Sequence, residues 1–464
     1  MFTMECNTKC HRVKLKNEIL CELLEDFQKI KMNNCSISRA EAEMILNAFI
    51  AWLSKTPKNL VYRINTLLCQ DQQYVCEKIK KALMQAEKMI DQKILTYQKV
   101  PELVIIQCLN INTLNLERYK NEIIVDANCG TALLRGANIY APGVLGMPRG
   151  LSVDDVVSVY ADLEHGCKKG AVKEYVKENK LFIGNGKIQM TREEIFNHSN
   201  GISNGIAVKM THVISSVPQL NSEILPTGHI LLQNLPSILC CRALDPQSDE
   251  IVLDMCAAPG NKTTQISALM GNKGTIIAMD KIKNKIIKLD ETIKKFHTTN
   301  IKAFCFNSVN AVSTVPNKSI LEGPPFSKDS FDRILLDGPC SALGQRPQIS
   351  NSISLSQLKS YVPLQRKLFT AAVELLKPRG ILVYSTCTIT IAENEGIVAW
   401  ALKKFPNLQL QNVHEIFMNF DVDHFTSTGF EVEGLSTEEA NKLCRFGWKE
   451  DFVGFFIARF IKKE

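Results

Sequence analysis

From about residue 245 onward, short apolar runs alternate with helical patterns, and this alternation constrains the fold more than any other feature of the chain. It is typical of a parallel sheet, because each crossover helix covers one face of the strands it joins. The predicted strands are IVLDM, TIIAMD, IKAFCF, FDRILLD, ILVYSTC and GFFIARF. The predicted helices are KTTQISALM, KNKIIKLDETIKKF, LQRKLFTAAVELLK and NEGIVAWALKKF. The pattern therefore predicts a Rossmann-like, doubly wound α/β domain.

The chain ahead of this domain has a different texture. Residues 14–100 are mostly helical in pattern, with Ser38 placed to cap a helix ahead of Glu41 and a strand between 57 and 69. From about 112 to 212, short apolar runs alternate with glycine-rich turns, which predicts a small β-rich domain. We therefore divide the chain into a helical N-terminal region over 1–110, a β-rich domain over 111–212 and the α/β domain over 213–464.

The composition indicates the kind of partner and the cellular compartment that suit this chain. The net charge of +7 fits a polyanionic partner without requiring one. No run of about 18 apolar residues occurs, and the N-terminus lacks the apolar core of a secretory signal, so we expect neither a membrane span nor export. Sixteen cysteines then indicate free thiols in a reducing compartment, and we expect a cytoplasmic monomer without an obligate protein partner. Cys6, Cys10 and His11 form a CxxxCH cluster without a second half, which we interpret as an exposed terminus and not as a metal site.

Two cysteines follow predicted strands of the α/β domain, namely Cys340 in LLDGPCSALGQRP and Cys387 in VYSTCTIT. Open α/β sheets bind their ligands at the carboxyl ends of the strands. A thiolate that attacks carbon 6 of cytosine pushes electron density onto carbon 5, which is otherwise a poor nucleophile toward a methyl sulfonium. Asp337 can bond the ring and help it accept charge, and a second thiol can take the carbon 5 proton so that the first can leave. Spacing does not say which thiol is the nucleophile, and a buried structural thiol is the alternative for Cys340.

The hydroxyl groups around Cys387 belong to the same pattern. We expect Ser385, Thr386 and Thr388 to donate hydrogen bonds that favour the thiolate of Cys387. Such bonds are needed at neutral pH because the pKa of a free cysteine is about 8.5. Lys262 has three interpretations, which are a solvated surface lysine, a phosphate contact and a contact to the target base.

A tight turn after the first strand of the α/β domain is the predicted cofactor loop. Its sequence is CAAPGNKT, from Cys256, and its backbone amides can approach a ligand at the N-terminus of the next helix. Asp280 ends the second strand, where a carboxylate can accept bonds from ribose hydroxyls. Asn307 follows the third strand and can pair with an adenine edge, with a loop-capping asparagine as the alternative. These features suit S-adenosylmethionine or a dinucleotide, but the absence of GxGxxG disfavours a nicotinamide oxidoreductase.

The β-rich segment carries candidate RNA contacts. Arg135, Tyr140, Lys168 and Lys169 combine basic and aromatic side chains with flexible glycines, which suits single-stranded RNA or the end of an RNA helix. A solvated loop surface is the alternative for each lysine.

At these motifs the chain resembles the Sun-domain (Nol1/Nop/Sun) RNA cytosine-5 methyltransferases. The residues that carry the resemblance are DMCAAPGNKTTQ, DGPCSALGQRP and YSTCTIT, with RINT at 63–66, LLQNLPSILCCRAL at 231–244 and VGFFIARF at 453–460 as further landmarks. The resemblance covers roughly 45–70 and 214–464. LRGANIYAPGV and the strands after it resemble a PUA domain, and a PUA domain is typical of the branch of this family that methylates the acceptor end of transfer RNA. On that likeness, the region around 40–110 would join 214–240 as an RRM-like subdomain that the PUA domain interrupts.

The resemblance also implies a role for each site residue. Cys387 would be the nucleophile, Cys340 the thiol that assists product release, Asp337 a cytosine contact and Lys262 a neighbour of the substrate base. Arg135, Tyr140, Lys168 and Lys169 would contact RNA, and no metal is implied. The S-adenosylmethionine contacts would be Cys256, Ala257, Ala258, Pro259, Gly260, Asn261, Lys262, Asp280, Asn307 and Asp337.

Three positions depart from the family pattern. Asn261 stands where glycine is usual, and asparagine tolerates a left-handed backbone better than most residues. Asn307 stands where aspartate is usual, which would weaken the bond to the adenine amine by about 1 kcal/mol. Ala342 stands where glycine is common and would tighten the loop near the base. A protein that binds RNA but has lost turnover is therefore the alternative function, while a DNA substrate is chemically equivalent and is disfavoured by the PUA-like segment.

Overall fold

The structure is a computed structural model, and it describes residues 13, 15–32, 35–85, 92–108, 116–173, 175, 180–197, 205–215, 217, 224–313, 319–447 and 451–464. The CxxxCH cluster of Cys6, Cys10 and His11 lies outside these residues. Within them, the larger sheets have four, six and nine strands. No helix in this described part of the chain is long and apolar enough to cross a membrane.

The N-terminal region consists of α1 (Asn17–Phe27), the hairpin strands β1 (Lys31–Met32) and β2 (Cys35–Ser36), and α2 (Arg39–Leu53). The predicted cap of α2 is present, because Ser38 accepts from the backbone of Glu41 and its own N–H donates to the Glu41 carboxylate at 2.8 Å. Phe27 stacks on Phe49 with ring centroids 5.4 Å apart, and both belong to the core that α1 and α2 share with the α/β domain. The two helices are therefore packed into the main core.

A four-stranded antiparallel sheet follows, built on β3 (Asn59–Ile64), α3 (Gln72–Gln85), β4 (Gln92–Tyr97) and β5 (Val100–Cys108). Its fourth strand, Ile230–Leu232, comes from a much later part of the chain and pairs with β3. The order across the sheet is Ile230–Leu232, β3, β5, β4. As predicted, this sheet is built from two parts of the chain that the β-rich domain separates. The similarity of the sheet to an RRM stays a prediction.

The interrupting β-rich domain contains β6 (Glu122–Val125), α4 (Ala127–Leu134), β7 (Ile139–Tyr140), β8 (Val144–Gly146), β9 (Val156–Asp162), β10 (Lys180–Ile188), α5 (Arg192–Phe196) and β11 (Ile206–Val213). The strand order is β7-β11-β10-β9-β6-β8, with β6 and β9 parallel. Its core holds mainly Ile, Val, Leu and Met side chains of its own, joined by Ile349 of the α/β domain. The predicted boundaries at 110/111 and 212/213 stay predictions.

The last part of the chain begins with the strand already described, β12 (Ile230–Leu232). Its helices are α6 (Leu235–Leu244), α7 (Asn261–Leu269), α8 (Lys283–Lys295), α9 (Leu355–Leu375), α10 (Glu395–Lys404), α11 (Val413–Asn419) and α12 (Thr437–Lys442). Its strands are β13 (Ile251–Asp254), β14 (Thr275–Asp280), β15 (Ile301–Cys305), β16 (Phe331–Asp337), β17 (Leu376–Thr386), β18 (Leu408–Gln411), β19 (Ser427–Thr428), β20 (Cys444–Phe446) and β21 (Phe455–Lys462).

The main sheet runs β15-β14-β13-β16-β17-β21, and the far edge of β21 pairs with β18 and β20. The strands from β15 to β17 are parallel, and β21 is antiparallel to β17. An α-helix follows each of β13, β14 and β16 before the next parallel strand, and the described residues between β15 and β16 contain only two short 3₁₀ turns. The predicted doubly wound α/β fold is confirmed. One helix differs from the prediction: α9 begins at Leu355, well ahead of the predicted start at residue 364, and continues through Pro363. The carboxyl ends of β13, β14, β16 and β17 meet at one edge, where the candidate site lies.

Candidate active site

The two predicted thiols meet at the edge of the sheet. Strands β16 and β17 are parallel neighbours with Asp337 opposite Ser385, so the loops after them begin side by side. Cys340 and Cys387 lie on these loops, and their Sγ atoms are 3.4 Å apart. Both thiols are partly exposed. Cys340 therefore contacts the second cysteine directly, and its catalytic role, like the alternative of a buried structural thiol, stays a prediction.

The contact between the thiols is electrostatically asymmetric. The hydrogen bond with Cys340 lowers the pKa of Cys387 below its ordinary value despite burial, and a hydrogen bond from Gln345 lowers it further. The same thiol–thiol hydrogen bond, together with burial, raises the pKa of Cys340 well above its ordinary value. The opposite shifts make Cys387 the more acidic thiol of the pair, a distinction that spacing left open.

The hydroxyl groups near Cys387 have other partners, so the prediction that they stabilise its thiolate is wrong. Ser385 donates to Asp337 at 2.8 Å, and Thr386 donates to the side chain of Asn394 at 2.5 Å. The Thr388 hydroxyl is 2.6 Å from that of Ser341. These bonds fix the two loops to each other, and the thiolate depends on Cys340 and Gln345 instead.

Lys262 and Asp337 form an ion pair beside the thiols. The Lys262 ammonium donates to Asp337 Oδ2 at 2.6 Å and lies 5.3 Å from the centre of the Phe455 ring. Only 14% of the Lys262 side chain is exposed, so its interpretation as a solvated lysine is wrong. Burial lowers the pKa of Lys262, but the charges of Asp337 and Cys240 outweigh it and hold the pKa above its ordinary value. The lysine therefore stays charged and fixes the carboxylate that faces the thiols.

The turn from Cys256 to Gly260 has the geometry of a ligand cradle. Gly260 has φ 104° and caps α7, where a Cβ would lie 2.7 Å from a methyl carbon of Leu289. Asp254 ends β13 beneath the turn, and burial raises its pKa to about 7. Asp280 ends β14 with one carboxylate oxygen accepting from the backbone of Ile282 and the other 3.7 Å from a lysine. Free amides at a helix N-terminus beside a strand-end carboxylate fit the methionyl and ribose groups of S-adenosylmethionine.

Two of the three departures from the family pattern take ordinary structural positions. Asn261 is the first residue of α7, and the left-handed backbone belongs to Gly260, so the argument from asparagine tolerance does not apply. Asn307 accepts from the N–H of Val309 at 3.3 Å and caps a short 3₁₀ turn, which is the alternative weighed for it. Its side chain is exposed near the end of β15, so the adenine contact stays a prediction.

Ala342 is the departure with a structural cost. Its φ is 55°, the left-handed region that a side chain disfavours by about 1 kcal/mol. It lies on the loop between Cys340 and Gln345, which supplies both hydrogen bonds to Cys387. The loop therefore holds its shape through surrounding contacts, since the backbone preference of alanine opposes it.

The predicted RNA contacts fall into two groups. Arg135 and the 56% exposed Tyr140 line a groove of about 1440 Å³ between the β-rich domain, the four-stranded sheet and the end of α8. Arg135 also donates from Nε to the backbone carbonyl of Arg346 at 2.9 Å, which occupies one edge of its guanidinium. Lys168 and Lys169 are exposed on another loop and do not line this groove. Further basic and aromatic side chains that line it are Lys78, Lys209, Lys295, Tyr62 and Tyr74.

Sequence reasoning missed several residues that hold the site. Arg63, in the RINT landmark, is buried and donates to the backbone carbonyl of Asn261 and to Thr264 at 2.9 Å. Arg346 is 1% exposed and donates to the carbonyls of Lys55 and Thr56, on the N-terminal region. The landmark RINT was a usable signal for Arg63, but no local pattern marked Arg346. In the described residues no group of three or more His, Cys, Asp or Glu side chains could hold a metal ion.

Known proteins are similar to this chain along nearly its whole length. A family model described as 16S rRNA methyltransferase RsmB/F matches residues 241–461, and a PUA domain model matches residues 121–214. The tRNA (cytosine(72)-C(5))-methyltransferase NSUN6 of Mus musculus is 39% identical, covering 97% of this chain and 97% of that protein. The protein of the same name from Homo sapiens is 39% identical over 97% of this chain and 98% of its own length.

A solved structure agrees with these relatives. The crystal structure of NSun6 from Pyrococcus horikoshii with SFG, an S-adenosylmethionine analogue, has a TM-score of 0.67 and 27% sequence identity, covering 96% of this chain and 98% of that one. The chain therefore belongs to the Sun-domain (Nol1/Nop/Sun) RNA cytosine-5 methyltransferases, carries a PUA domain and uses S-adenosylmethionine as its methyl donor.

Proposed function

We propose that this enzyme methylates carbon 5 of a cytosine near the acceptor end of transfer RNA, with Cys387 as the nucleophile and Cys340 as the thiol that assists release. The observation that carries the proposal is the 3.4 Å contact between two thiols whose pKa values shift in opposite directions. A thiolate is the nucleophilic form of cysteine, so the asymmetry favours attack by Cys387.

In the first step, the Cys387 thiolate adds to carbon 6 of the target cytosine. The electron pair of the C5–C6 bond then moves toward carbon 5 and the ring, which makes carbon 5 nucleophilic. Asp337, held by Lys262 and Ser385, is placed to accept a hydrogen bond from the exocyclic amine of the cytosine. Because both partners of Asp337 are in place beforehand, little reorganisation accompanies the reaction.

The cofactor residues would lie on the opposite side of the base. Cys256, Ala257, Ala258, Gly260 and Asn261 would line the S-adenosylmethionine site, with Pro259 shaping the turn and Lys262 and Asp337 bordering it. The N–H groups of Ala257 and Gly260 already donate to the carbonyls of Met279 and Ala257, so they would shape the turn and not bond the cofactor. Asp280 would accept bonds from the ribose, and Asn307 would meet the adenine edge. When bound, S-adenosylmethionine supplies the methyl group to carbon 5 and leaves as the neutral thioether.

Release follows from the coupling between the two thiols. Once Cys387 is bound to carbon 6, it is no longer a thiolate. The hydrogen bond and the charge by which Cys387 raises the pKa of Cys340 are then lost. Cys340 can then lose its proton to solvent and take the proton from carbon 5. The C5–H electron pair restores the C5–C6 double bond, and the C6–S pair returns to Cys387 as a thiolate. The resting pair is restored, with one proton released for each methyl group transferred.

Similarity and charge support transfer RNA as the substrate. The mouse and human relatives are named for cytosine 72 of transfer RNA, and their similarity includes the PUA segment. The groove beside this domain carries four basic side chains, Lys78, Arg135, Lys209 and Lys295, which suit an RNA backbone. Lys168 and Lys169 would extend the contact along the same domain. A monomer in the reducing cytoplasm would keep both catalytic thiols free, as they are here.

The test is transfer of labelled methyl groups from S-adenosylmethionine to total transfer RNA, followed by bisulfite sequencing. Wild-type protein and Cys305→Ala, which removes an exposed cysteine outside the site, should both label a cytosine in the acceptor stem. Cys387→Ala should label none. Label at another position would overturn the acceptor-end proposal, and absence of label with folded wild-type protein would favour the RNA-binding alternative.

A further inference from the structure

Glu393 links the loops of both cysteines through a buried carboxylate. The residue is 1% exposed. Its Oε2 accepts from the backbone N–H of Ser341 at 3.0 Å and from the side chain of Gln365 at 2.9 Å, and its Oε1 accepts from the Thr390 hydroxyl at 3.0 Å. Ser341 follows Cys340, Thr390 lies on the loop after Cys387, and Gln365 belongs to α9. One carboxylate therefore holds three elements that border the thiols.

The segment that carries Glu393 is itself fixed from behind. Asp26 of α1 is buried, and its carboxylate accepts from the backbone N–H groups of Ile391 at 2.6 Å and of Ala392 at 3.0 Å. Gln365 also donates to the carbonyl of Pro339 at 3.0 Å, next to Cys340. The position of Glu393 is thus set by contacts on both sides, and its carboxylate has little freedom to retreat from Cys340.

The hydrogen bonds from Ser341, Gln365 and Thr390 favour the charged form of this carboxylate, whereas burial acts against it and raises its pKa above the ordinary value. A buried charge is costly unless it is well hydrogen-bonded, and an apolar group in place of Glu393 would leave these three donors without their acceptor. The carboxylate therefore fixes the loop of Cys340 through Ser341 as well as placing a charge near the thiol.

The charge acts on one thiol of the pair. Among the ionisable groups, Cys387 and Glu393 raise the pKa of Cys340, while Asp337 and Lys262 act in opposite directions on Cys387. The other titratable neighbour, Tyr384, is buried with its pKa raised, so it stays neutral. Glu393 therefore adds to the effect of the Cys387 hydrogen bond and of burial on Cys340, and it is not among the groups that shift the pKa of Cys387.

We propose that Glu393 is a positioning residue that fixes Cys340 against Cys387 and keeps the resting proton on Cys340. This inference rests on the proposed roles of the two cysteines. Glu393 touches neither substrate nor cofactor and acts through Ser341 and Cys340. Without its charge, Cys340 would compete with Cys387 for the thiolate.

The test is alkylation of the full-length protein, without RNA, by limiting iodoacetamide between pH 6 and 9 (a range that spans cysteine ionisation, about 8.5 for a free thiol). Trypsin leaves Cys340 and Cys387 on separate peptides, so mass spectrometry gives the ratio of their labelling. In the wild-type protein we expect Cys387 to be labelled at least about fivefold faster, because the thiolate is the reactive form and the pKa of Cys387 is the lower of the two. Glu393→Gln should lower this ratio at least about threefold and reduce kcat with little change in the KM for RNA.

Thr390→Val is the matched control, because it removes one hydrogen bond from the same carboxylate but leaves its charge. It should lower thermal stability while keeping the wild-type labelling ratio. If Glu393→Gln fails to fold, Glu393→Asp takes its place, and the shorter side chain should at least halve the ratio. An unchanged ratio in the folded Glu393 variant would overturn the role of Glu393, whereas faster labelling of Cys340 in the wild type would overturn the proposed cysteine roles instead.

Discussion

The thiol pocket, formed by Lys262, Asp337, Cys340 and Cys387, differs from the groove beside the PUA domain in how its side chains are held. In the pocket, each of the four side chains has a hydrogen-bond partner in the protein at 3.4 Å or less. In the groove, Tyr140 is 56% exposed and faces a space of about 1440 Å³. The pocket is therefore organised before substrate arrives, as electrostatic catalysis requires, while the groove can adapt to an RNA backbone.

This difference predicts that pocket substitutions change the chemical step and groove substitutions change binding. The largest effect is expected for Asp337→Asn, which weakens the bond to the cytosine ring and leaves Lys262 without its carboxylate. We expect single-turnover methylation to fall at least about 100-fold with RNA affinity retained. Asp329→Asn, which breaks the ion pair with Lys462 outside the pocket, is the control and should keep wild-type activity. A wild-type rate in Asp337→Asn would remove this carboxylate from the mechanism.

A smaller effect in the pocket tests the thiolate itself. Activity should rise with pH as Cys387 ionises, and because its pKa is lowered, the rise should lie below the range of an ordinary cysteine. Gln345→Leu removes a hydrogen bond that lowers this pKa, so the rise should move to higher pH. The measurement is the single-turnover rate against pH. A profile that does not move would show that Gln345 leaves the nucleophile unaffected.

The groove is tested by salt dependence. Replacing Lys209 and Lys295 by alanine should weaken transfer RNA binding and flatten the plot of log affinity against log salt by about 0.9 per lost phosphate contact. The double variant Lys168→Ala with Lys169→Ala should also weaken binding and flatten the plot if the RNA contacts the loop that carries these two lysines. Lys403 and Lys463, exposed elsewhere, provide the control pair. An unchanged slope in the first variant would exclude the groove from the RNA path.

The smallest effect concerns the cofactor edge. Asn307→Asp should bind S-adenosylmethionine about fivefold more tightly, because a charged acceptor gains about 1 kcal/mol on the adenine amine. Aspartate can also cap the turn at Val309, so the backbone should be preserved. Calorimetric titration measures the change. An unaltered dissociation constant would show that residue 307 only caps its turn.

The sequence was sufficient to predict those structural features that depend on a local pattern of residues. The strand-end positions of Cys340 and Cys387, the cap at Ser38 and the turn at Gly260 each depend on a few consecutive residues. Prediction from sequence failed where partners lie outside the local motif: Thr386 bonds Asn394 on the following loop, and Arg346 reaches the carbonyl of Lys55, 291 residues away. Pro363 concealed the first half of α9, since a proline is expected to end a helix. Spacing could not assign the two thiols because the difference in their pKa values arises first from the hydrogen bond between them and from burial, which depend on how the two loops pack together.

The most direct measurement of the central claim is a denaturing gel of protein incubated with transfer RNA and S-adenosylmethionine, comparing Cys340→Ala, Cys387→Ala and wild type. If Cys387 attacks carbon 6 and Cys340 assists release, Cys340→Ala will accumulate a covalent protein–RNA adduct that carries the methyl group. Cys387→Ala will form neither adduct nor methylated RNA. An adduct that accumulates in Cys387→Ala and is absent in Cys340→Ala would contradict the assignment.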